Sequence, residues 1–161
     1  MSNLHLYLFA LEVEPMKVEG AYDQLPLHCT LMPRFWSDLT PLEMIKKVQN
    51  LLDNTAPIRL VIGKHKLLGP KLTSVNLIEL SNQLNTLHIK LKDILDGIGV
   101  EYTSSEWVGE GYVPHISNVH KLEYDPGNNL LAAAVYLIEV GTISKKHQRF
   151  IHAKIELRKV I

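Results

Sequence analysis

A histidine followed two residues later by serine or threonine occurs twice in this chain, and no other sequence feature restricts the fold as strongly. The copies are His28-Cys29-Thr30 and His115-Ile116-Ser117, each shortly after a proline and each with an apolar or small residue at its centre. The surrounding pattern predicts that both copies lie in strands. Because residues i and i+2 of a strand point to the same face, each copy would present an imidazole and a hydroxyl side by side.

Further strands are predicted by alternation of apolar positions and by short apolar runs bounded by turn residues. They comprise residues 4–12, 25–31, 58–64, 75–80 and 151–157. The nearly uninterrupted apolar run at 130–140 predicts a central strand buried on both faces, and the basic residues at 145–149 predict a loop.

Two helices are marked by their capping residues. Thr40 is followed by Pro41 at the first helical position and by Glu43 three residues after the cap, which is the pattern of a capping box. Ser81 is the expected cap of a second helix, whose apolar stripe ends at Gly97 and Gly99. Helices and antiparallel strands in this order predict an α+β domain.

The length and charge of the chain limit the class of partner. A chain of 161 residues with 46% hydrophobic residues is expected to form a single domain over residues 1–161. Lys plus Arg and Asp plus Glu are both 17, so the formal charge is zero. Proteins that coat long nucleic acids normally carry a basic excess. We therefore expect a small nucleotide or a short RNA as partner. The protein is also expected to be a monomer.

Cys29 is the single cysteine, so no intrachain disulfide can form and a reducing compartment is expected. Strand alternation turns its side chain away from His28, which predicts a buried apolar role and not a nucleophile. The start of the chain does not resemble a signal peptide, and no apolar stretch is long enough to cross a bilayer. These features predict a cytoplasmic location without membrane association.

The two motifs, with Leu31 and Phe35 after the first and Val113-Pro114 before the second, resemble the 2H phosphoesterase superfamily. Its members include 2′-5′ RNA ligase-like proteins and cyclic nucleotide phosphodiesterases. The resemblance implies a bilobal fold, in which two pseudo-symmetric lobes line a central cleft with antiparallel sheets and carry their helices outside. It also implies that His28 and His115 act as general acid and base, and that Thr30 and Ser117 hold the phosphate.

The second motif departs from the family pattern at three positions. Ser117 stands where threonine is commoner, and Asn118 follows where an aliphatic residue is usual. His120 lies near the place where an arginine or lysine often binds phosphate. The motif therefore does not identify the residue that supplies a positive charge to the phosphate. Arg34, His120 and Lys121 are the candidate phosphate contacts.

Aromatic residues are the candidates for stacking on a base. Trp107 and Tyr112 lie immediately before the second motif and are the first choices. Trp107 belongs to the segment 100–111, which contains glycines and aromatic residues and which we expect to close over the substrate. Tyr112 follows that segment directly.

Histidines near their ordinary pKa of about 6.5 can give and take protons at neutral pH without a cofactor. The chain lacks the helical i, i+4 histidine pair and the cysteine pairs of common zinc sites, so no metal and no cofactor are expected. The predicted function is metal-independent cleavage of 2′,3′-cyclic phosphates or of short RNA-derived or cyclic nucleotides. The alternatives are a 2′-5′ RNA ligase, an enzyme degrading 2′-5′ or cyclic oligonucleotides, and a noncatalytic nucleotide- or RNA-binding module.

Overall fold

The computed structural model describes residues 3–117, 124–141 and 148–158. Across these ranges the chain forms ten strands and two α-helices. The strands are β1 (His5–Glu12), β2 (Ala21–Tyr22), β3 (His28–Ser37), β4 (Ile58–Leu68), β5 (Thr73–Ile78), β6 (Glu101–Tyr102), β7 (His115–Ser117), β8 (Asn129–Ala132), β9 (Ala134–Val140) and β10 (Arg149–Glu156). The helices are α1 (Pro41–Asp53) and α2 (Asn82–Gly97). None of the described helices is long and apolar enough to span a membrane.

The described strands form one antiparallel sheet in the order β2, β10, β9, β1, β3, β7, β5, β4, β8, with β6 added to β3. This arrangement confirms the predicted α+β class with antiparallel pairing. Strands β3 and β7 join the two halves of the sheet through one residue pair, Cys29 with Ile116. The pseudo-symmetry of two lobes stays a prediction.

The helix caps are those expected from the sequence. The Glu43 amide donates to Thr40 Oγ1 over 3.2 Å, and the Thr40 amide donates to Glu43 Oε1 over 3.0 Å, which completes the capping box. Ser81 Oγ accepts from the Leu84 amide at the start of α2. Each helix therefore begins where the cap satisfies amides that have no partner inside the helix.

Apolar side chains cover both faces of the sheet but in unequal amounts. The larger core lies between the sheet and the helices, where Phe9 and Phe35 of the sheet share a cluster with Met44 of α1 and Leu91 of α2. The other face carries a smaller cluster, in which Leu8 of β1 packs with loop residues such as Leu25. Because the helices cover one face of the sheet, the other face is left for a cleft.

Three sequence predictions about the strands need correction. The apolar run at 130–140 is two strands, since β8 pairs with β4 at one end of the sheet and β9 lies between β1 and β10. Leu131 is 66% exposed because it lies on the solvent face of β8, opposite to the face of the fully buried Ala132. Arg149 begins β10 instead of ending the predicted basic loop, of which residues 145–147 lie outside the described residues. The hairpin strand predicted at 58–64 continues to Leu68. Composition does not say which neighbours a strand will have, and those neighbours decide its burial and length.

Candidate active site

The two motifs lie on neighbouring antiparallel strands. Cys29 of β3 pairs directly with Ile116 of β7, and both residues are fully buried. The antiparallel register therefore places His28 beside Ser117 and Thr30 beside His115 on the opposite face. All four side chains line one cleft of about 860 Å³. The sequence predicted each pair, and the sheet brings the two pairs together.

Both histidines are anchored in the same way. Nδ1 of His28 lies 2.9 Å from the Pro26 carbonyl oxygen, and Nδ1 of His115 lies 2.8 Å from the Val113 carbonyl oxygen. A carbonyl oxygen can only accept, so each Nδ1 must carry the proton. The other nitrogen, Nε2, is then an acceptor in the neutral ring and a donor in the charged ring. Each imidazole thus keeps Nε2 for exchange of a proton with a ligand.

Charge and burial favour the neutral form of His28. Burial has the largest effect and lowers the pKa of His28, and the positive charges of His115 and Arg149 lower it further. The hydrogen bond to the Pro26 carbonyl acts in the opposite direction but is weaker. The neutral His28 imidazole can accept a proton through Nε2.

The cysteine between His28 and Thr30 is on the far side of the strand. Cys29 is fully buried, and burial raises the pKa of its thiol to about 12. A thiol in this environment does not form the thiolate that nucleophilic attack requires. The structure therefore places Cys29 in the core, as strand alternation predicted.

The stacked rings of Tyr112 and His88 connect the segments that carry the two motifs. The Tyr112 hydroxyl donates to the Thr30 carbonyl over 2.8 Å, although Tyr112 itself precedes the second motif. Its ring lies parallel to that of His88 at 3.9 Å between centroids. His88 is fully buried on α2 and donates from Nδ1 to the Leu31 carbonyl over 2.8 Å. Tyr112 and His88 therefore both hold the strand that carries the first motif.

The segment before the second motif needs its glycines. The Gly109 amide donates to Nε2 of His88 over 2.9 Å, and Gly109 has a φ of +72°, which favours glycine. A Cβ at Gly111 would lie 1.8 Å from the Glu106 carbonyl oxygen. These close approaches let two short 3₁₀ turns, at Ser105–Trp107 and Gly109–Gly111, deliver Tyr112 and His115 to the sheet.

The remaining predicted binding residues have different positions. Arg34 is exposed and Trp107 is half-buried, and both line the cleft. Tyr112 also borders the cleft but is only 5% exposed, and one face of its ring is covered by His88. His120 and Lys121 lie outside the described residues.

Two further residues of the site were not identified from the sequence. Arg149 lines the cleft and its Nη1 donates to the Asp23 carbonyl over 2.7 Å. His88 contacts both motif-bearing segments, through the Leu31 carbonyl and the Gly109 amide. Arg149 lies 121 positions after His28 in the chain, so no local spacing indicates that the two residues line the same cleft. His88 lies in the apolar stripe of the second helix. A histidine within such a stripe is the sequence signal that could have identified it as a buried residue of the site.

Among the residues that the structure describes, no three or more His, Cys, Asp or Glu side chains form a group able to hold a metal ion. The polar groups of the cleft are imidazoles, hydroxyls and two guanidiniums, together with the Gln24 amide and the Asp23 carboxylate. This set suits an anion, with donors for its oxygens and two proton-exchanging nitrogens beside them.

The fold and the cleft together define a protein with two histidine and hydroxyl pairs on the open face of an antiparallel sheet. The chain belongs to the 2′-5′ RNA ligase superfamily, whose family model it matches over residues 9–149. The resemblance inferred from the motifs is thereby confirmed. A search of curated proteins found no match.

Solved structures share the fold over nearly the whole chain. LigT of E. coli, crystallised with 3′-AMP, has a TM-score of 0.60 at 11% identity, covering 98% of this chain and all of that chain. The protein TT0787 of Thermus thermophilus has a TM-score of 0.55 at 15% identity, covering 97% of this chain and all of that chain. A structure described as a phosphoesterase has a TM-score of 0.59 at 12% identity, with 98% and 100% coverage. At these identities the likeness shows the fold alone.

Proposed function

We propose that this protein is a metal-independent phosphodiesterase that acts on 2′,3′-cyclic phosphates or on short RNA-derived or cyclic nucleotides. The observation that carries the proposal is the matched anchoring of His28 and His115, which leaves both Nε2 atoms available in one cleft. One imidazole acting as base and the other as acid supply the two proton transfers of in-line displacement at phosphorus.

In the proposed reaction one neutral imidazole takes a proton from the attacking water through Nε2. The water oxygen forms a bond to phosphorus as the bond to the departing ribose oxygen breaks. The other imidazole, in its charged form, gives its proton to that oxygen. The lowered pKa of His28 favours His28 as the base for hydrolysis, and the roles exchange in the reverse direction.

Thr30 and Ser117 are proposed to donate to the nonbridging phosphate oxygens, where negative charge grows in the transition state. Each hydroxyl lies beside the histidine of the other motif in the register around Cys29 and Ile116. The phosphate would therefore be held from two sides. Arg34 adds a positive charge on the cleft wall, and Trp107 adds an aromatic surface for a base.

Tyr112 is proposed to position the first motif instead of stacking on a base. Its ring is buried against His88, and its hydroxyl donates to the Thr30 carbonyl. His120 and Lys121 stay proposed phosphate contacts on the strength of their place after the second motif.

Small nucleotides are the proposed substrates. E. coli LigT has been crystallised with 3′-AMP, ATP and NADP⁺, which supports a cleft of nucleotide size in this fold. The neutral charge of the chain also favours a short ligand over a long nucleic acid. A cytoplasmic, monomeric enzyme would fit this role.

The test is turnover in EDTA on a panel of 2′,3′-cyclic nucleotides, 2′-5′ linked oligonucleotides and cyclic dinucleotides, together with a ligation assay on RNA ends. We expect cleavage of at least one class in EDTA. His28→Ala and His115→Ala should each reduce it by about 10²- to 10⁴-fold. His65→Ala is the matched control, because His65 lies on the β4–β5 hairpin and does not line the cleft.

The outcomes separate the alternatives. Activity that EDTA abolishes would replace the two-histidine mechanism with metal catalysis. Joining without cleavage would assign the ligase alternative. Tight nucleotide binding without any turnover would assign the noncatalytic binding module.

A further inference from the structure

The hairpin formed by β4 and β5 is one wall of the cleft. Leu68, Thr73 and Val75 line the cleft, together with Gly69 in the turn between the two strands. Val75 pairs with Ser117, the hydroxyl residue of the second motif. The hairpin wall is therefore continuous with the proposed reacting centre and extends from it to the hairpin turn.

The pairing register places one lysine on this wall. Lys66 of β4 pairs with Val75, and Leu68 pairs with Thr73. Directly paired residues share a face of the sheet, so Lys66 lies on the cleft side with Val75. Because Val75 also pairs with Ser117, Lys66 is two strands from Ser117, or about 10 Å between backbones. Lys66 thus lies beside the reacting centre but outside it.

Two further lysines of the hairpin lie close to Lys66. Lys64 precedes it by two residues on β4, Lys71 lies in the turn, and all three side chains are exposed. Their ammonium groups have no carboxylate partner in the part of the chain that the structure describes. His65 pairs with the buried Asn76, so it lies on the other face and does not belong to this surface.

The local charge of the hairpin differs from that of the whole chain. Residues 54–78 contain Arg59 and the three lysines but no Asp or Glu, although the formal charge of the 161 residues is zero. Charge complementarity therefore favours a partner that carries several negative charges. An RNA strand that continues from a phosphate in the cleft brings its next phosphates to the hairpin, where lysines neutralise them.

We propose that Lys64, Lys66 and Lys71 bind the backbone phosphates of a short RNA whose terminal phosphate lies between His28 and His115. The inference rests on the proposed function for the position of that terminal phosphate. The preferred substrate is then an RNA of a few nucleotides ending in a 2′,3′-cyclic phosphate. A cyclic mononucleotide lacks the phosphates that the hairpin binds.

The test is isothermal titration calorimetry of the full chain with adenosine 3′-monophosphate and with an adenosine tetranucleotide that carries a 3′-phosphate. Neither ligand contains a cyclic phosphate, so binding is measured without its hydrolysis. We expect the tetranucleotide to bind at least about tenfold more tightly at low salt, a difference of about 1.4 kcal/mol. Its log affinity should also fall more steeply with log salt, by about 0.7 for each phosphate that a lysine neutralises.

A triple variant removes the charges of the proposed surface. It should lose most of the tetranucleotide preference and of the added salt dependence, and it should keep its affinity for adenosine 3′-monophosphate. The substitutions are Lys64→Gln, Lys66→Gln and Lys71→Gln.

The matched control removes three charges from exposed positions on α1 and α2, which cover the other face of the sheet. It should keep both the preference and the salt dependence. Its substitutions are Lys46→Gln, Lys47→Gln and Lys90→Gln.

Equal affinity of the wild type for the two ligands, or a preference that survives the hairpin triple variant, would overturn the proposal. An equal loss of affinity for both ligands would overturn it too, because the lysines would then act on the terminal phosphate. Binding of the wild type to vesicles of anionic lipid, without a tetranucleotide preference, would assign the hairpin to a membrane instead.

Failure of the proposed reaction is seen separately, in the turnover assay in EDTA. Turnover of cyclic mononucleotides without a tetranucleotide preference would refute only the strand-binding surface. A preference that depends on the hairpin lysines, with no turnover on any member of the panel, would refute only the reaction.

Discussion

The two motifs place the same pair of groups in the cleft but rest on different supports. The first lies in the ten-residue strand β3, with seven registered pairs to β1. The second lies in β7, which is only three residues long. Both histidines nevertheless make the same Nδ1 contact to a carbonyl two residues upstream. Local spacing thus sets the orientation of each imidazole, whereas the surrounding sheet sets how firmly it is held.

The supports differ in kind. Leu27, just before the first motif, donates to Glu14 Oε1 over 2.8 Å and accepts from the Glu14 amide over 2.9 Å. Before the second motif, the Pro114 carbonyl accepts from the Ile78 amide over 2.9 Å, and Tyr112 reaches across to Thr30. The second motif therefore depends on contacts between distant segments. If the two motifs have the same chemical role but are held by different contacts, substitutions in the motifs should mainly lower turnover. Substitutions in the contacts that hold the motifs should mainly lower stability.

The largest effect is expected from the histidines and should separate their roles. His28→Ala and His115→Ala should each lower kcat/KM by about 10²- to 10⁴-fold. Because the pKa of His28 is lowered, its base form persists below about pH 6.5, so the acidic limb of the profile should lie below that value. Profiles of kcat/KM against pH should lose that limb in His28→Ala and keep it in His115→Ala. Loss of the same limb in both variants would contradict the division into base and acid.

The hydroxyl pair should show the next largest effect. Thr30→Val and Ser117→Ala each remove one donor to the phosphate oxygens, and about a hundredfold loss of kcat is expected for each. Initial rates with a cyclic nucleotide substrate measure the loss. Thr30→Ser and Ser117→Thr keep the donors and are the matched controls. A full loss in one motif with no loss in the other would show that only one hydroxyl contacts the phosphate.

The contact between the segment before the second motif and the strand of the first can be tested at Tyr112. Tyr112→Phe keeps the stack on His88 but leaves the Thr30 carbonyl without its donor, which should cost about 1–3 kcal/mol of unfolding free energy. Thermal denaturation should show a Tm lower by about 2–4 °C for each kcal/mol. Tyr22→Phe is the control, since its hydroxyl takes part in an exposed contact with the Lys17 amide. An unchanged Tm in Tyr112→Phe would mean that this hydrogen bond contributes nothing.

The same support should make stability depend on pH. Burial, the largest cause, and nearby Lys92 lower the pKa of His88. The unfolded chain then binds a proton that the folded chain does not, so stability should fall as the pH drops below about 6.5. His88→Phe loses two hydrogen bonds and should be less stable at neutral pH. Chemical denaturation should show that the difference in unfolding free energy between the wild type and His88→Phe becomes smaller as the pH is lowered. A difference that does not change with pH would contradict the role of neutral His88.

The smallest effect is expected at the centre of the first motif. Cys29→Ala removes one buried atom and should cost about 1 kcal/mol in a chemical denaturation curve. Its turnover should stay far closer to wild type than that of His28→Ala, because the thiol points away from the cleft. The native thiol should also resist alkylation until the protein unfolds. A loss of turnover as large as that of His28→Ala would assign chemistry to the thiol.

Several local features were predictable because they depend only on neighbours in the chain. The capping box at Thr40 and Glu43 and the cap at Ser81 need side chains three residues apart. The break at Ala133 was missed because the run on both sides is equally apolar, although β8 and β9 lie in different parts of the sheet. The pattern of apolar residues predicts that a strand is buried, but it does not identify the neighbouring strands or helices that bury it.

By itself the sequence determined that each motif presents a histidine and a hydroxyl on one face, since the period of a strand is two residues. It also determined that Cys29 points the other way. Only the tertiary structure decided that Cys29 would pair with Ile116, that His88 would support Tyr112, and that Arg149 would enter the cleft. Side-chain direction within a strand follows from local backbone geometry. The choice of neighbouring strands follows from burial summed over the whole chain, which no short segment contains.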